Sequence, residues 1–158
     1  MNTQTTHDAE RIIDNHVWFS LVPGALPVPF LDVMGITAVQ LDMIKQLCHV
    51  YGKDYDEQRG KALATGLMGT TTGRLSGYAL RTAFKVVPGV GWVLGSLTLA
   101  ASAAASTYAI GQVFKEHLEE GGTLQTIDLE HLEQFFNKQL EEGRKFVERL
   151  LEKKGDER

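Results

Sequence analysis

Five histidines, one cysteine, a short acidic cluster and sixteen glycines are the residues of this chain with chemical potential. The histidines are His7, His16, His49, His117 and His131. No two of them stand four apart, the spacing that puts two imidazole ligands on one helical face. A metal site would need the fold to gather His16, Asp32 and His49; a polar cluster that orients helices is the expected arrangement instead. Cys48 beside His49 has the composition of a nucleophile and its base. Adjacent helical residues, however, point about 100° apart, and Cys48 falls on the apolar side of its pattern. Asp54, Asp56 and Glu57 lack the alternating ligands and the glycine of a calcium loop and read as a helix cap. Gly66, Gly69, Gly73 and Gly77 never produce the phosphate-cradling loop that ends in Lys-Ser or Lys-Thr, and Gly89-Val90-Gly91 is not followed by the third glycine of a dinucleotide fingerprint. The expectation is a protein without catalytic residues, metal or cofactor, one that acts through packing and contact.

The charges are sorted along the chain. Residues 1–58 carry a net −5, residues 59–85 a net +5 with no acid, and residues 115–158 a net −4. Between them, Val86–Phe114 is a run of 29 residues without Asp, Glu, Lys or Arg. The overall net charge of −4 argues against nucleic acid as a partner. A length of 158 residues with 43% hydrophobic and 23% charged side chains fits one folded domain rather than disorder. One cysteine excludes an internal disulfide, and polar Met1–Asp14 does not resemble a cleaved signal peptide.

The elements that must position these residues are helical. Ile13, Val17 and Leu21 lie on one strip, so Asp8 to about Leu21 predicts a first helix. Pro23, Pro27 and Pro29 stop it and mark an apolar elbow. Apolar residues at three- and four-residue steps from Phe30 to Tyr51 predict the second helix, with Gly52 at its C′ position. A third is expected from an Asp54 cap, with Glu57 completing a capping box, to about Val87. Pro88-Gly89 separates it from a fourth, about 91–120, and Gly121-Gly122 closes that one. The last starts near Thr126 or Asp128 and buries Leu129, Leu132, Phe136, Leu140, Val147 and Leu150. No alternating strand pattern or Asn-Gly hairpin turn competes. The expected fold is an all-α bundle of about five helices. Residues 1–122 form a helical domain with a central Gly/Ala-rich hairpin (about 54–120), and residues 123–158 an amphipathic C-terminal helix.

Gly69, Gly73 and Gly77, four apart, form a glycine-zipper row on one helix. Each interior glycine costs roughly 1 kcal/mol relative to alanine, so the row needs a compensating close backbone approach. The expected partner is the small-residue run of the fourth helix, including Ala101 and Ala105. Such a hairpin belongs either inside a soluble bundle or in a bilayer, since residues 90–114 are long enough to cross the hydrocarbon core, although rich in Ala, Ser, Gly and Thr. Arg74, Arg81 and Lys85 make a basic stripe suited to lipid headgroups, or equally a solvated face that answers the acidic ends. That flank is expected to stay cytoplasmic if residues 90–114 span.

Ile13, His16, Ser20, Gly24, Pro27, Pro29, Asp32, Gln40, Met43, Leu47, Tyr51 and Gly52 stand in the order I-x-x-H…S…G…P-x-P-x-x-D…Q-x-x-M…L…Y-G. This order resembles the bacterial domain of unknown function 697 family, whose members include YcjF-like membrane proteins and C-terminal regions fused to P-loop GTPases. The likeness covers about residues 9–115. It implies a membrane-associated companion of a GTPase carried on another polypeptide, at the cytoplasmic side of the bacterial inner membrane, with no catalytic residues to transfer. From the residues themselves, His16 and Asp32 flank the proline elbow and can hydrogen-bond across it, with Gln40 joining them as an elbow network that fixes helix register. The expected function is a non-enzymatic, membrane-associated scaffold or regulator whose hairpin supplies membrane contact or self-association and whose last helix docks a partner. Two other readings stay open: a soluble, cytoplasmic self-assembling or small-ligand-binding bundle, and a membrane-perturbing protein with a releasable hairpin.

Overall fold

The computed structural model describes residues 3–21, 29–67 and 90–156, with side-chain surroundings over 3–21, 35–67 and 100–153. These residues form five helices and one short 3₁₀ turn, with no strand among them. Helix α1 is Thr3–Leu21, α2 is Pro29–Val50, α3 covers residues 57–67, α4 is Val90–Glu119 and α5 is Leu129–Asp156, preceded by the 3₁₀ turn Leu124–Thr126. The fold is an all-α bundle. The expected rows at Gly69, Gly73 and Gly77 and at Arg74, Arg81 and Lys85 lie outside the described residues, as does most of the proline elbow.

Helix ends follow local chemistry. Gly52, at φ +63°, ends α2 with its own N–H on His49 O (3.1 Å) and the Lys53 N–H on Cys48 O (2.8 Å). Gly121, at φ +92°, ends α4 in the same way, its N–H on Leu118 O (3.0 Å) and that of Gly122 on His117 O (2.9 Å). Both are Schellman caps, in which a left-handed residue lets the last carbonyls be satisfied. The cap of α3 differs from expectation. Asp56, not Asp54, accepts the Arg59 N–H through Oδ1 (2.8 Å), so position N3 is arginine and no capping box forms. Asp128 caps α5, its Oδ1 accepting from the Glu130 N–H at 3.0 Å, whereas Thr126 belongs to the preceding turn.

Helix α4 is the axis of the bundle. It packs most extensively against α5, then against α1 and α2. Ile13, Val17, Met43, Leu47, Leu67, Ile110, Phe114, Phe136 and Val147 form one core. Helix α1 runs antiparallel to α4: Thr6 meets Glu119, Glu10 meets Lys115, and Ser20 meets Thr107. Helix α2 runs parallel to α4, with Met43 beside Gly111 and Gln40 beside Thr107. Helix α5 returns antiparallel through the short turn, so Gly143 reaches Ala105. The turns 51–56 and 120–128 therefore sit at one end, and the C-terminus of α1 and the N-termini of α2 and α4 run to the other.

The close approach takes a specific form here. A Cβ on Gly143 would stand 2.7 Å from the Ala105 carbonyl oxygen, a distance that backbone cannot relieve. The small-residue surface of α4 at Ala105 thus receives α5, and half-buried Ala101 packs against the core one turn away. Ala103, Ala104, Ala109, Ile110, Val113 and Phe114 are buried in the same bundle. No helix among the described residues is long and apolar enough to cross a membrane, so the length of residues 90–114 is not matched by sufficient apolarity. The physical reason is composition: Ala, Ser, Gly and Thr gain little on transfer to lipid.

Candidate functional site

The polar residues between α1, α2 and α4 are arranged in two adjoining groups. His16 is buried on α1, with Nδ1 donating to the Ile12 carbonyl at 2.7 Å and Nε2 facing Asp42 Oδ2 at 3.1 Å. Both ring nitrogens face acceptors, so the ring fills both bonds only when it carries two N–H groups. Gln46 Nε2 donates to the same Asp42 oxygen at 2.7 Å. These bonds, the His16 bond first among them, hold the Asp42 carboxyl below its ordinary range. The expectation joined His16 with Asp32 and Gln40; the described bond from His16 to α2 is to Asp42, ten residues beyond Asp32. The surroundings of the Asp32 side chain lie outside those described.

Gln40 belongs to the second group. Its Nε2 donates to Thr107 Oγ1 at 3.4 Å, Thr107 and Ser20 hydroxyls meet at 3.0 Å, and Ser20 Oγ donates to the His16 carbonyl at 2.9 Å. Because the Ser20 proton is used on that carbonyl, the chain runs one way, from Gln40 through Thr107 to Ser20. Gln40, Thr107 and Ser20 are all buried, and Gln40 Oε1 has no hydrogen-bond partner among the described residues. The network ties three helices together in register. Ser20 and Thr107 were not singled out as a pair by sequence reasoning, since nothing in the spacing of residues 87 apart points to their contact.

The turn end is knitted by cations on carbonyls. Lys53 Nζ donates to Gly121 O (2.9 Å), and Arg59 donates through Nε to Leu124 O (3.1 Å) and through Nη2 to Ile127 O (3.0 Å). His117 Nε2 faces Thr123 O and Thr126 Oγ1, each at 3.0 Å. Beside this end lies an open cleft of about 420 Å³ lined by Asp42, Lys45, His49, Lys53, Asp54 and Tyr55. Two lysines and two carboxylates line it, so no single charge sign selects a ligand.

Placement bears on two of the chemical alternatives raised by the sequence. Cys48 is buried, free and pushed up to about 11 by desolvation, which leaves no thiolate at neutral pH, and His49 is exposed on the other face. Among the described residues no group of three or more His, Cys, Asp or Glu side chains is placed to hold a metal ion. The described surface carries only two exposed large hydrophobic side chains, Trp18 and Phe19, at 42% and 68% exposure.

The model of a family described as "Domain of unknown function (DUF697)" matches residues 1–145. The chain belongs to the DUF697 family. Within the matched span fall all the residues of the two polar groups, the Gly52 and Gly121 caps and the Ala105–Gly143 approach. This DUF697 chain is 33% identical over 147 residues to "Magnetosome membrane protein 22" of Magnetospirillum gryphiswaldense, a match that covers 92% of this chain and 75% of that protein. No solved structure matches it significantly.

Proposed function

We propose that this DUF697 protein is a non-catalytic, membrane-associated helical scaffold that meets the bilayer with one end of its bundle. The observation that carries the reading is where the topology sends the uncharged sequence. Residues 17–31 and 86–99 contain no Asp, Glu, Lys or Arg. They include the C-terminal turn of α1 and the N-terminal turns of α2 and α4, which run to the end opposite the cation-knitted turns. Helix α5, antiparallel to α4, runs toward the same end, and its last turn carries Lys153 and Lys154, residues suited to the headgroup level, together with Glu152 and Asp156. The magnetosome relative, a membrane protein by its name, supports the same reading. Because no described helix qualifies as a span, the association proposed is with the face of a bilayer.

Helix α5 is the proposed docking element. It buries Phe136, Leu140 and Val147 and turns Glu141, Glu142, Arg144, Lys145, Glu148 and Arg149 outward. The partner class implied by the family resemblance is a P-loop GTPase, and the cytoplasmic side is the side proposed. Fractionation of cells that express the full chain tests the reading. The expected result is recovery with membranes through a high-salt wash and release by detergent; a monodisperse protein in the detergent-free soluble fraction overturns it.

A further inference from the structure

We propose that Trp18 and Phe19 form an interfacial anchor that seats this end of the bundle at the headgroup–acyl boundary of a phospholipid bilayer. The inference rests on the membrane-associated reading above and assigns its contact to two side chains. On a helix of 100° per residue, Ala9, Ile13, His16, Val17, Ser20 and Leu21 share the inward side of α1, and all are buried. Trp18 and Phe19 straddle the outward side.

Along that outward side the character changes within one turn. The Asp8–Arg11 ion pair comes first, then exposed Asp14 and Asn15, then the two aromatics, and the sequence stays uncharged from Val17 through Leu31. A water-to-lipid boundary matches this order: charge on the water side, then an amphipathic indole and an apolar ring at the interface. Tryptophan suits the position because its ring is apolar while its N–H seeks an acceptor such as a lipid carbonyl. Phe19 is backed by the His16 ring, edge-on at a centroid distance of 6.4 Å, and that ring is fixed by Ile12 O and Asp42.

A second copy of the chain is the other occupant to weigh. Two side chains cover far less than the roughly 1,000 Å² a stable protein interface needs. A two-fold contact there would also bring Asp14 and Asp42 of both copies toward one another, and Asp42 is 58% exposed. A bilayer interface imposes neither demand.

The test uses the full chain with Trp92→Phe, so that Trp18 is the lone indole, and vesicles of phosphatidylcholine alone or mixed with phosphatidylglycerol. The expected result is a blue shift of Trp18 emission on both vesicles, with stronger quenching by lipids brominated near the carbonyls than by lipids brominated at the chain ends. Trp18→Ser with Phe19→Ser is expected to lower partitioning at least about tenfold while leaving circular dichroism and the thermal midpoint unchanged. The interchange Trp18→Phe with Phe19→Trp is expected to keep partitioning near the parent value. Binding with unmoved Trp18 emission and equal partitioning of the double serine variant overturns the anchor and leaves the membrane reading standing. Absence of binding to either vesicle overturns both. A double serine variant that loses oligomer mass in solution yet partitions normally overturns the anchor in favour of a contact between copies.

Discussion

At the turn end of the bundle, two left-handed glycines close α2 and α4, and Lys53, Arg59 and His117 spend their donors on carbonyls of the facing turns. Away from that end, mid-way along α2, Gln40 keeps a buried oxygen without a partner among the described residues, and α1 exposes Trp18 and Phe19 near its C-terminus. The donors of Lys53, Arg59 and His117 are spent within the fold, whereas Trp18 and Phe19 present aromatic surface outward. The turn end has one exception, the buried Tyr51 hydroxyl, which has no hydrogen-bond partner among the described residues and is pushed up to about 12 by desolvation and by Glu119 and Glu10.

The largest expected effect lies where the two ends are joined. Gly143→Leu places carbon against the Ala105 carbonyl and Tyr108 ring, contacts of 2.7 and 3.1 Å already at Cβ. Backbone cannot swing away as a side chain does, so α5 must move off α4, at a cost of about 3 kcal/mol. Denaturant unfolding checks this; a loss under about 1 kcal/mol would mean that the approach does not set the spacing of α4 and α5. Next comes Arg59→Ala, which strips two carbonyls of a charged donor and is expected to cost about 2 kcal/mol. Its effect should fall on the turn end, with faster amide exchange around residues 124–127 and little change near Gln40. Uniform loosening of both ends would break the comparison.

The helices, their order and both glycine stops were legible in the sequence, because periodicity and caps are local. The core strip of α5 was legible for the same reason: Phe136, Leu140 and Val147 are buried and Leu129, Leu132 and Leu150 half-buried. The α3 cap was not, since three acids within four residues offer equivalent local bonds and only the backbone path selects Asp56. The approach of Gly143 to Ala105 was not anticipated, and the expected glycine row lies outside the described residues. Yet an isolated glycine in the middle of the charged α5 sequence carried a signal, because such a glycine costs about 1 kcal/mol and usually has a packing reason. The His16–Asp42 bond was not read from the sequence, because it depends on how far α2 travels alongside α1, which no spacing rule supplies.

Two substitutions compare the unpartnered atoms of Gln40 and Tyr51. Gln40→Leu removes the orphan oxygen and the long 3.4 Å bond to Thr107, while the Thr107–Ser20 contact survives. Tyr51→Phe removes only the orphan hydroxyl. Replacing an unsatisfied polar group by an apolar one of similar shape is near neutral or stabilising, so both variants should lie within about 1 kcal/mol of the parent. Thermal unfolding checks this. If the Gln40 network exists for register rather than stability, Gln40→Leu should also broaden the unfolding transition, whereas Tyr51→Phe should leave it sharp.

The smallest expected effect concerns Asp42, which stands at the border between the two ends. Its carboxyl is held below the ordinary value of 3.8, chiefly by the hydrogen bond from His16 and further by Gln46. A carboxyl lowered in the folded state adds stability that is present above 3.8 and disappears as pH falls through the folded value, because the unfolded chain takes up the proton first. Asp42→Asn removes that contribution, yet an asparagine oxygen can still accept from His16 Nε2. With Asp42 58% exposed, solvent screening limits the loss at neutral pH to about 0.5 kcal/mol. The gap between parent and variant should therefore be small at neutral pH and close in strong acid. A gap that widens in acid would assign the carboxyl's stabilisation to something other than its charge and would unfasten His16, and with it Phe19, from the border where the helices change from charged to uncharged.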